Sequence, residues 1–340
     1  MRPPRESPGC APGSSLRARA EMEQDNHSPA QPDIQAVVVA YRSAGSISEC
    51  LDSLVGAHVR RVVVVDNSRD PQTCSLVQKV QGRHDAEIVY HEPPANLGFA
   101  GGANLGASLC EPGGWLVFVG PDVALTGDLS RLVSFARAQG AALTSGVLLP
   151  GDQADGTNVR PEVTPSRELL RALVGTRRTY RTLRVAEEGC HSVPQLDGCL
   201  LLTSYETFSL LGGFDERFEL YFEDVDLCRR AAAAGGVWLV PEVFGRHAGG
   251  ASSSQVHKDA YCAFRISRVR YLRKWWGGRG AAVGLAAALL EWLARTASRQ
   301  PEGSHARARA LALQLQELLE PGRAWVLPDG ASGSRGTQRR

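Results

Sequence analysis

Glu223, Asp224 and Asp226 crowd one short stretch of this 340-residue chain, Y-F-E-D-V-D-L-C-R-R. One or two acids suit a helix N-terminus through the macrodipole, worth ~0.3–1 kcal/mol each. Three exceed what capping needs. At helical spacing Leu227 faces the core and Asp224 a cleft, where a carboxylate could take the proton from a hydroxyl. Asp66 follows four valines; it either caps the turn after a strand or accepts hydrogen bonds from a base N–H or a ribose hydroxyl. Tyr41, at the end of a neighbouring strand, could stack on that base. Asp122, after Pro121, could hold a divalent cation, and Mg²⁺ and Mn²⁺ both favour oxygen ligands. His247, in R-H-A-G-G-A-S-S-S, reads as a structural histidine, a metal ligand or a diphosphate contact. The segment 96–106, N-L-G-F-A-G-G-A-N-L-G, is glycine-rich around Gly98, and its Asn96 and Asn104 contact a bound ligand or brace the loop.

These residues need a frame. Ile34–Ala40 and Val62–Val65 are β-branched runs, as expected of strands buried on both faces of a parallel sheet. Glu87–His91 and Trp115–Val119 read as further strands, and Leu196–Thr203 and Val237–Val240 follow later. Helical patterns cover 46–56, Thr73–Gln81, Ala103–Cys110, Tyr205–Leu211 and Glu223–Ala234. Strands alternating with ~10-residue helices predict right-handed βαβ units and an α/β, doubly wound core. In such sheets ligands sit beyond the carboxyl ends of the strands, where Tyr41, Asp66 and Asp122 lie. The turn R-S-A-G-S after the first strand lacks G-x-G-x-x-G, which disfavours a dinucleotide dehydrogenase. Residues 150–190 read as loop-rich, with a basic stretch at Arg177–Arg181. From about Lys258 the chain reads as helical.

A net charge of +2 gives no reason to expect nucleic acid as a partner. The eight cysteines form no C-x-x-C pair, so reduced, mostly buried thiols in the cytosol are expected rather than a disulfide or thiolate-zinc framework. No run of 18 apolar residues predicts a membrane-spanning helix. The proline-rich residues 1–33 and the polar residues 329–340 read as disordered tails, and Met1 or Met22 as the start. They flank a catalytic domain over 34–257 and a helical extension over 258–328.

With these pieces assembled, residues 34–275 resemble the family 2 glycosyltransferases of the GT-A fold, in the bacterial rhamnosyltransferase and galactofuranosyltransferase branch. The likeness rests on VVVAYRS, VVVDNSRD, NLGFAGGANLG, the P-D at 121–122, and GGFDERFELYFEDVDLCRRAAAAGG followed by R-H-A-G-G-A-S. The resemblance implies a mostly parallel sheet with C-terminal helices. It implies Asp66 and Tyr41 at the nucleotide base, Asp122 and His247 on Mg²⁺ or Mn²⁺, and Asp224 as the base of an inverting transfer. It also implies that Asp197-Gly198 lies near the bound sugars. The donor would be a dTDP-rhamnose-like or UDP-linked sugar, and the acceptor a glycan or lipid-linked hydroxyl in cell-envelope polysaccharide synthesis. Gly120 departs from the pattern, since Asn or Asp is usual there, so one oxygen ligand is missing.

Between 260 and 290 lie Arg265, Arg268, Arg270, Arg273, Lys274 and Arg279, with no acid, and Trp275 and Trp276 among them. This is either a helix packed on the catalytic domain or an interfacial element on anionic lipid. The second reading predicts a cytoplasmic protein, peripheral at the inner face of the membrane. Residues 305–319 read as an amphipathic packing or homodimer helix. The rival functions are a transferase for a soluble natural product and a sugar-nucleotide-binding pseudoenzyme. A haloacid-type phosphatase is disfavoured because Ser68 stands where a second aspartate is needed.

Overall fold

A computed structural model describes residues 32–84, 86–150, 159–174, 191–248, 257–297 and 304–321. The expectations for Met22, Arg177–Arg181 and the two tails, but for residues 32 and 33, lie outside these residues. The first half alternates as β1 (Ile34–Ala40), α1 (Ile47–Gly56), β2 (Arg61–Asp66), α2 (Pro71–Gln81), β3 (Glu87–His91), α3 (Gly98–Ser108) and β4 (Trp115–Val119). Then come β5 (Val123–Leu125), α4 (Leu129–Gln139), β6 (Leu143–Pro150), β7 (Val159–Arg160) and α5 (Pro165–Val174). The remainder is β8 (His191–Ser192), β9 (Gln195–Leu196), β10 (Leu200–Ser204), α6 (Tyr205–Leu210), α7 (Glu223–Ala231), β11 (Val237–His247), α8 (His257–Ala297) and α9 (Ser304–Leu319).

The main sheet runs β3-β2-β1-β4-β10-β6-β11-β5, with β8 on β11. Strands β1, β2, β3, β4, β6 and β11 point one way and β5, β8 and β10 the other. Both faces of β1 are buried, so its valines serve two cores: Val38 packs with Ile47 and Leu51 of α1, Val37 and Val39 with α3.

This polarity collects the chemistry at one edge. The carboxyl ends of β1, β2, β4 and β11 arrive there with Tyr41, Asp66, Asp122 and His247. Because β10 is antiparallel, its beginning arrives there too: Leu200 pairs with Val119, which brings residues 197–199 beside Asp122.

Three elements correct the reading of the sequence. Helix α3 starts at Gly98, five residues before the expected start. Its glycines are poor helix formers, but the helix lies too close to β1 for side chains. A Cβ on Gly102 would stand 2.9 Å from Val39 Cγ1, and one on Gly106 2.4 Å from Val37 Cγ1. The loop-rich stretch contains α5. Ahead of it, α4 is capped by Asp128 and closed by a left-handed Gly140.

Helix α8 is broken at Gly277 (φ 64°, ψ −160°). Arg265 Nη1 lies 2.8 Å from Glu291 Oε2. In a straight helix these residues would stand ~39 Å apart. The two arms, 257–276 and 278–297, therefore double back on each other, and Gly284 gives room to Leu272.

Of the six cations between 260 and 290, five are turned inward and Arg279 is exposed. Arg265 pairs with Glu291, Arg268 with Glu168, Arg270 with Glu317, and Lys274 with Asp215 and Asp226. Arg273 donates to the carbonyls of Glu317 and Leu318. Trp275 and Trp276 lie beneath the Arg229 guanidinium, with its Cζ 4.5 and 4.1 Å from the ring centroids. The acidic partners of these cations lie on other elements or, for Arg265, on the second arm of α8, so this stretch packs against the rest of the chain. Among the described residues no helix is long and apolar enough to cross a membrane.

Gly106→Ala should cost about 1–3 kcal/mol through overpacking against Val37. Urea unfolding should show a lower midpoint with an unchanged slope.

Candidate active site

A cleft of about 670 Å³ opens at the sheet edge, lined by Gly120, Asp197, Gly198, Glu223, Asp224 and His247 among others. Asp122 joins through His247, whose Nε2 lies 3.3 Å from Asp122 Oδ1. This bond raises the His247 pKa above its ordinary value. Gly120 N–H donates to the Cys199 carbonyl at 3.0 Å, tying the end of β4 to the loop before β10. A Cβ on Gly120 would stand 3.1 Å from Asp122 Oδ1, so the bare backbone leaves that carboxylate room.

Asp224 enters from the first turn of α7. Its Oδ2 accepts from Gly198 N at 2.9 Å and its Oδ1 from Val225 N at 2.7 Å. Burial first, and then the charge of Asp197, push the carboxyl up to about 6. Those backbone donors limit the rise. Glu223 beside it is buried, its Oε2 has no hydrogen-bond partner, and burial holds its carboxyl well above the ordinary range. Asp197 is paired with Arg160 at 3.0 Å, a residue the sequence reading passed over within the loop-rich stretch.

The turn into α7 is strained. Tyr221 and Phe222 both have left-handed backbones, φ 66° and 71°, which cost aromatic residues ~1–3 kcal/mol each. The first arm of α8 holds them there. Phe222 packs on Phe264 and Tyr271, each with ring centroids 5.4 Å away, and Ser267 Oγ donates to the Leu220 carbonyl at 2.9 Å.

Other expected site residues lie elsewhere or are otherwise engaged. Asp226 is buried two residues from Asp224, which on a helix is the opposite face. It binds Arg230 and Lys274 and accepts from Trp275 Nε1, so it fastens α7 to α8 rather than lining the cleft. Asn104 exchanges hydrogen bonds with the Phe214 backbone and donates to Glu216, bonds that brace the loop. Asn96 accepts from Gly98 N at 3.0 Å. Asn67, passed over in the sequence, accepts from Leu97 N and donates to the Gly98 carbonyl, fixing the glycine loop to the end of β2. Asp66 is fully buried and accepts from Ser68, Asp70 N and Tyr90 Oη, the bonds of a turn brace. Tyr41 sits at the rim with the Arg42 guanidinium 5.4 Å from its ring centroid.

A family model described as Glycosyl transferase family 2 matches residues 35–194. N-acetylglucosaminyl-diphospho-decaprenol L-rhamnosyltransferase of Mycobacterium tuberculosis is 32% identical over 231 residues, 61% of this chain and 72% of that protein. The chain belongs to glycosyl transferase family 2. Low-salt glycan biosynthesis hexosyltransferase Agl10 of Haloferax volcanii is 28% identical over 206 residues, 58% of this family 2 chain. The match spans 61% of Agl10's own length. In three dimensions the chain is similar to mannosyltransferase PcManGT from Pyrobaculum calidifontis, solved with GDP-Man and Mn²⁺. The TM-score is 0.55 at 19% identity, covering 91% of this chain and 94% of that one. That likeness shows the GT-A fold.

Among the described residues no group of three or more His, Cys, Asp or Glu side chains is arranged to hold a metal ion. The Asp122–His247 pair supplies one oxygen and one nitrogen donor. Such a pair fits a cation that arrives with a diphosphate, whose oxygens and water complete the shell, better than a permanently caged ion.

Asp224 binds its proton more tightly folded than unfolded, so its contribution to stability is full below the ordinary 3.8 and is lost as pH rises through about 6. Asp224→Asn does not titrate. Between about pH 4 and about pH 7.5, urea unfolding should show stability shifting in favour of the variant by up to ~3 kcal/mol.

Proposed function

We propose that this family 2 glycosyltransferase moves a sugar from a nucleoside-diphosphate donor to an acceptor hydroxyl with inversion at the anomeric carbon. One observation carries the reading: a carboxyl poised at about 6 shares its cleft with His247, the partner of Asp122. A general base works best with a pKa near the working pH. Asp224 takes the hydroxyl proton as the acceptor oxygen attacks the anomeric carbon. The bond from that carbon to the diphosphate oxygen breaks on the opposite face, and the diphosphate leaves with the electron pair. Mg²⁺ or Mn²⁺ held by Asp122 and His247 would offset the charge on that leaving group. Burial raises the Glu223 carboxyl well above its ordinary range, which favours the protonated form that can donate a hydrogen bond to the acceptor. For Asp66 to contact the base it must exchange one of its present partners, and the Tyr90 hydroxyl at its edge is the candidate.

The rhamnosyltransferase relative supports a dTDP-rhamnose-like donor, with a UDP-sugar as the other choice, and a glycan or lipid-linked acceptor in cell-envelope synthesis.

The test is transfer by the purified protein from dTDP-rhamnose and UDP-sugars with Mn²⁺. Asp224→Asn should lower turnover by ~10²–10⁴-fold while nucleotide binding persists. Near-normal turnover would remove the assigned base. In the wild type, kcat/KM should fall as pH drops through about 6, where Asp224 gains its proton. His247→Ala should weaken the response to Mn²⁺ far more than it weakens folding, and chelation should abolish transfer by the wild type.

A further inference from the structure

Arg160 stands on a small device of its own. Among the described residues β7 pairs only with β9, with Val159 opposite Leu196 and Arg160 opposite Gln195. This ribbon is anchored without Arg160. Val159 and Leu196 are buried, and Cys228 Sγ lies 3.4 Å from Leu196 N and 3.7 Å from the Leu196 carbonyl oxygen. Cys228 follows Asp224 by one turn of α7, so residues 196–198 run along the face that carries Asp224. Across the ribbon Arg160 is the diagonal neighbour of Asp197.

The guanidinium takes hold of both carboxylate oxygens. Arg160 Nε lies 3.2 Å from Asp197 Oδ1 and 3.1 Å from Oδ2, and Nη2 lies 3.0 Å from Oδ2. Among the described residues no other hydrogen bond reaches that carboxylate. Both side chains line the cleft, and they are 54% and 30% exposed. An ion pair so open to water contributes little to stability, so fastening the fold does not account for it.

Its place beside the base does. Asp197 adjoins Gly198, whose N–H holds Asp224 Oδ2. After burial, the Asp197 charge is the next influence that raises the Asp224 carboxyl. The Arg160 guanidinium is raised first by the Asp197 charge and also feels that of Asp224. The other titratable groups here are Cys199 ahead of β10 and Glu223 and Cys228 on α7. Burial raises all three, which favours their uncharged forms. The cleft's other charged walls are His247 with Asp122, Arg171 of α5, and Arg265, Arg268 and Glu291 of α8. These stay the same in every variant below.

We infer that Arg160 is a positioning residue for Asp224: gripping Asp197 from the β7–β9 ribbon, it fixes where that negative charge stands and offsets it. Asp224 then faces an ion pair rather than a bare carboxylate. The inference rests on the reading of Asp224 as the base.

Two pH readings on the full chain test it. One is the pH at which the stability gap to the matching Asp224→Asn variant levels off in urea unfolding. The other is the acid limb of kcat/KM for turnover of dTDP-rhamnose and UDP-sugars with Mn²⁺. Arg160→Gln should move both to higher pH, because an unanswered Asp197 charge favours the protonated form of Asp224. Asp197→Asn should move both to lower pH. With Asp197→Asn already in place, Arg160→Gln should move them severalfold less. If Arg160→Gln does not fold, Arg160→Lys takes its place. It keeps the charge but not the planar fork, and its readings should still lie above the wild type. Unmoved readings in a folded Arg160 variant, or in Asp197→Asn, overturn the inference. So does an equal shift with and without Asp197, which would have Arg160 act on Asp224 directly. Weakened UDP or dTDP binding with unmoved readings would make Arg160 a donor contact and overturns it too. Unfolding curves that shift as expected while kcat/KM has no acid limb remove Asp224 as the base and leave the pairing. Unmoved unfolding curves with the acid limb intact remove the pairing alone.

Discussion

A carboxylate with little water around it must be held by something, and at Asp224 the holders are two backbone N–H groups, from Gly198 and Val225. That pair of bonds dictates much of the molecule. Gly198 must reach α7, so the loop before β10 runs under the helix. The first turn of α7 must face the cleft, so the chain ahead of it adopts left-handed backbones at Tyr221 and Phe222. Such strain persists only where surroundings over-determine it. Phe264, Ser267 and Tyr271 do so from the first arm of α8. The C-terminal helix therefore shapes the cleft around Asp224.

The sheet solves a separate problem: bringing side chains from distant stretches to one rim. Parallel strands deliver their carboxyl ends together, which accounts for Tyr41, Asp66 and Asp122. Residue 197 could not arrive that way. It is there because β10 runs against β4, so that its start meets the end of β4. His247 arrives because β11 continues past Val240, through register shifts near Val243 and Gly245, to pair with the edge strand β5. A β11 that stopped at Val240, as its hydrophobic run suggests, would leave Asp122 without this partner.

What could be read in the sequence was what depends on local pattern. Trp115–Val119 falls where its side chains predict, because a strand buried on both faces is a contiguous apolar run; Glu87–His91, an edge strand with only Ile88 buried, falls where its short β-branched centre predicts. The identity of the rim residues and the acid cluster were likewise legible. What failed depended on partners remote in the chain. Helix propensity could not anticipate that α3 begins among glycines, because close packing on Val37 and Val39 decides it. The basic run after 260 left packing and lipid contact both open because its acids are remote in the chain: Glu168 is 100 residues from Arg268 and Glu317 is 47 from Arg270. Asp224 is read from its spacing as facing a cleft; the role of Asp226, half a turn away, is not, because its lysine, arginine and indole partners include residues remote in the chain.

The reversal at Gly277 sets an order of assembly. The strands that gather the rim are complete once residue 247 has been synthesised. The contacts of the second arm of α8 are not. Arg171 meets Glu291 across 120 residues of chain, and only after the second arm has folded back. Long-range contacts of this kind close late, because loop entropy must be offset before they form. During translation the Asp122, Asp224 and His247 end of the cleft thus matures first, and the opposite end stays an incomplete surface until the second arm of α8 has been synthesised.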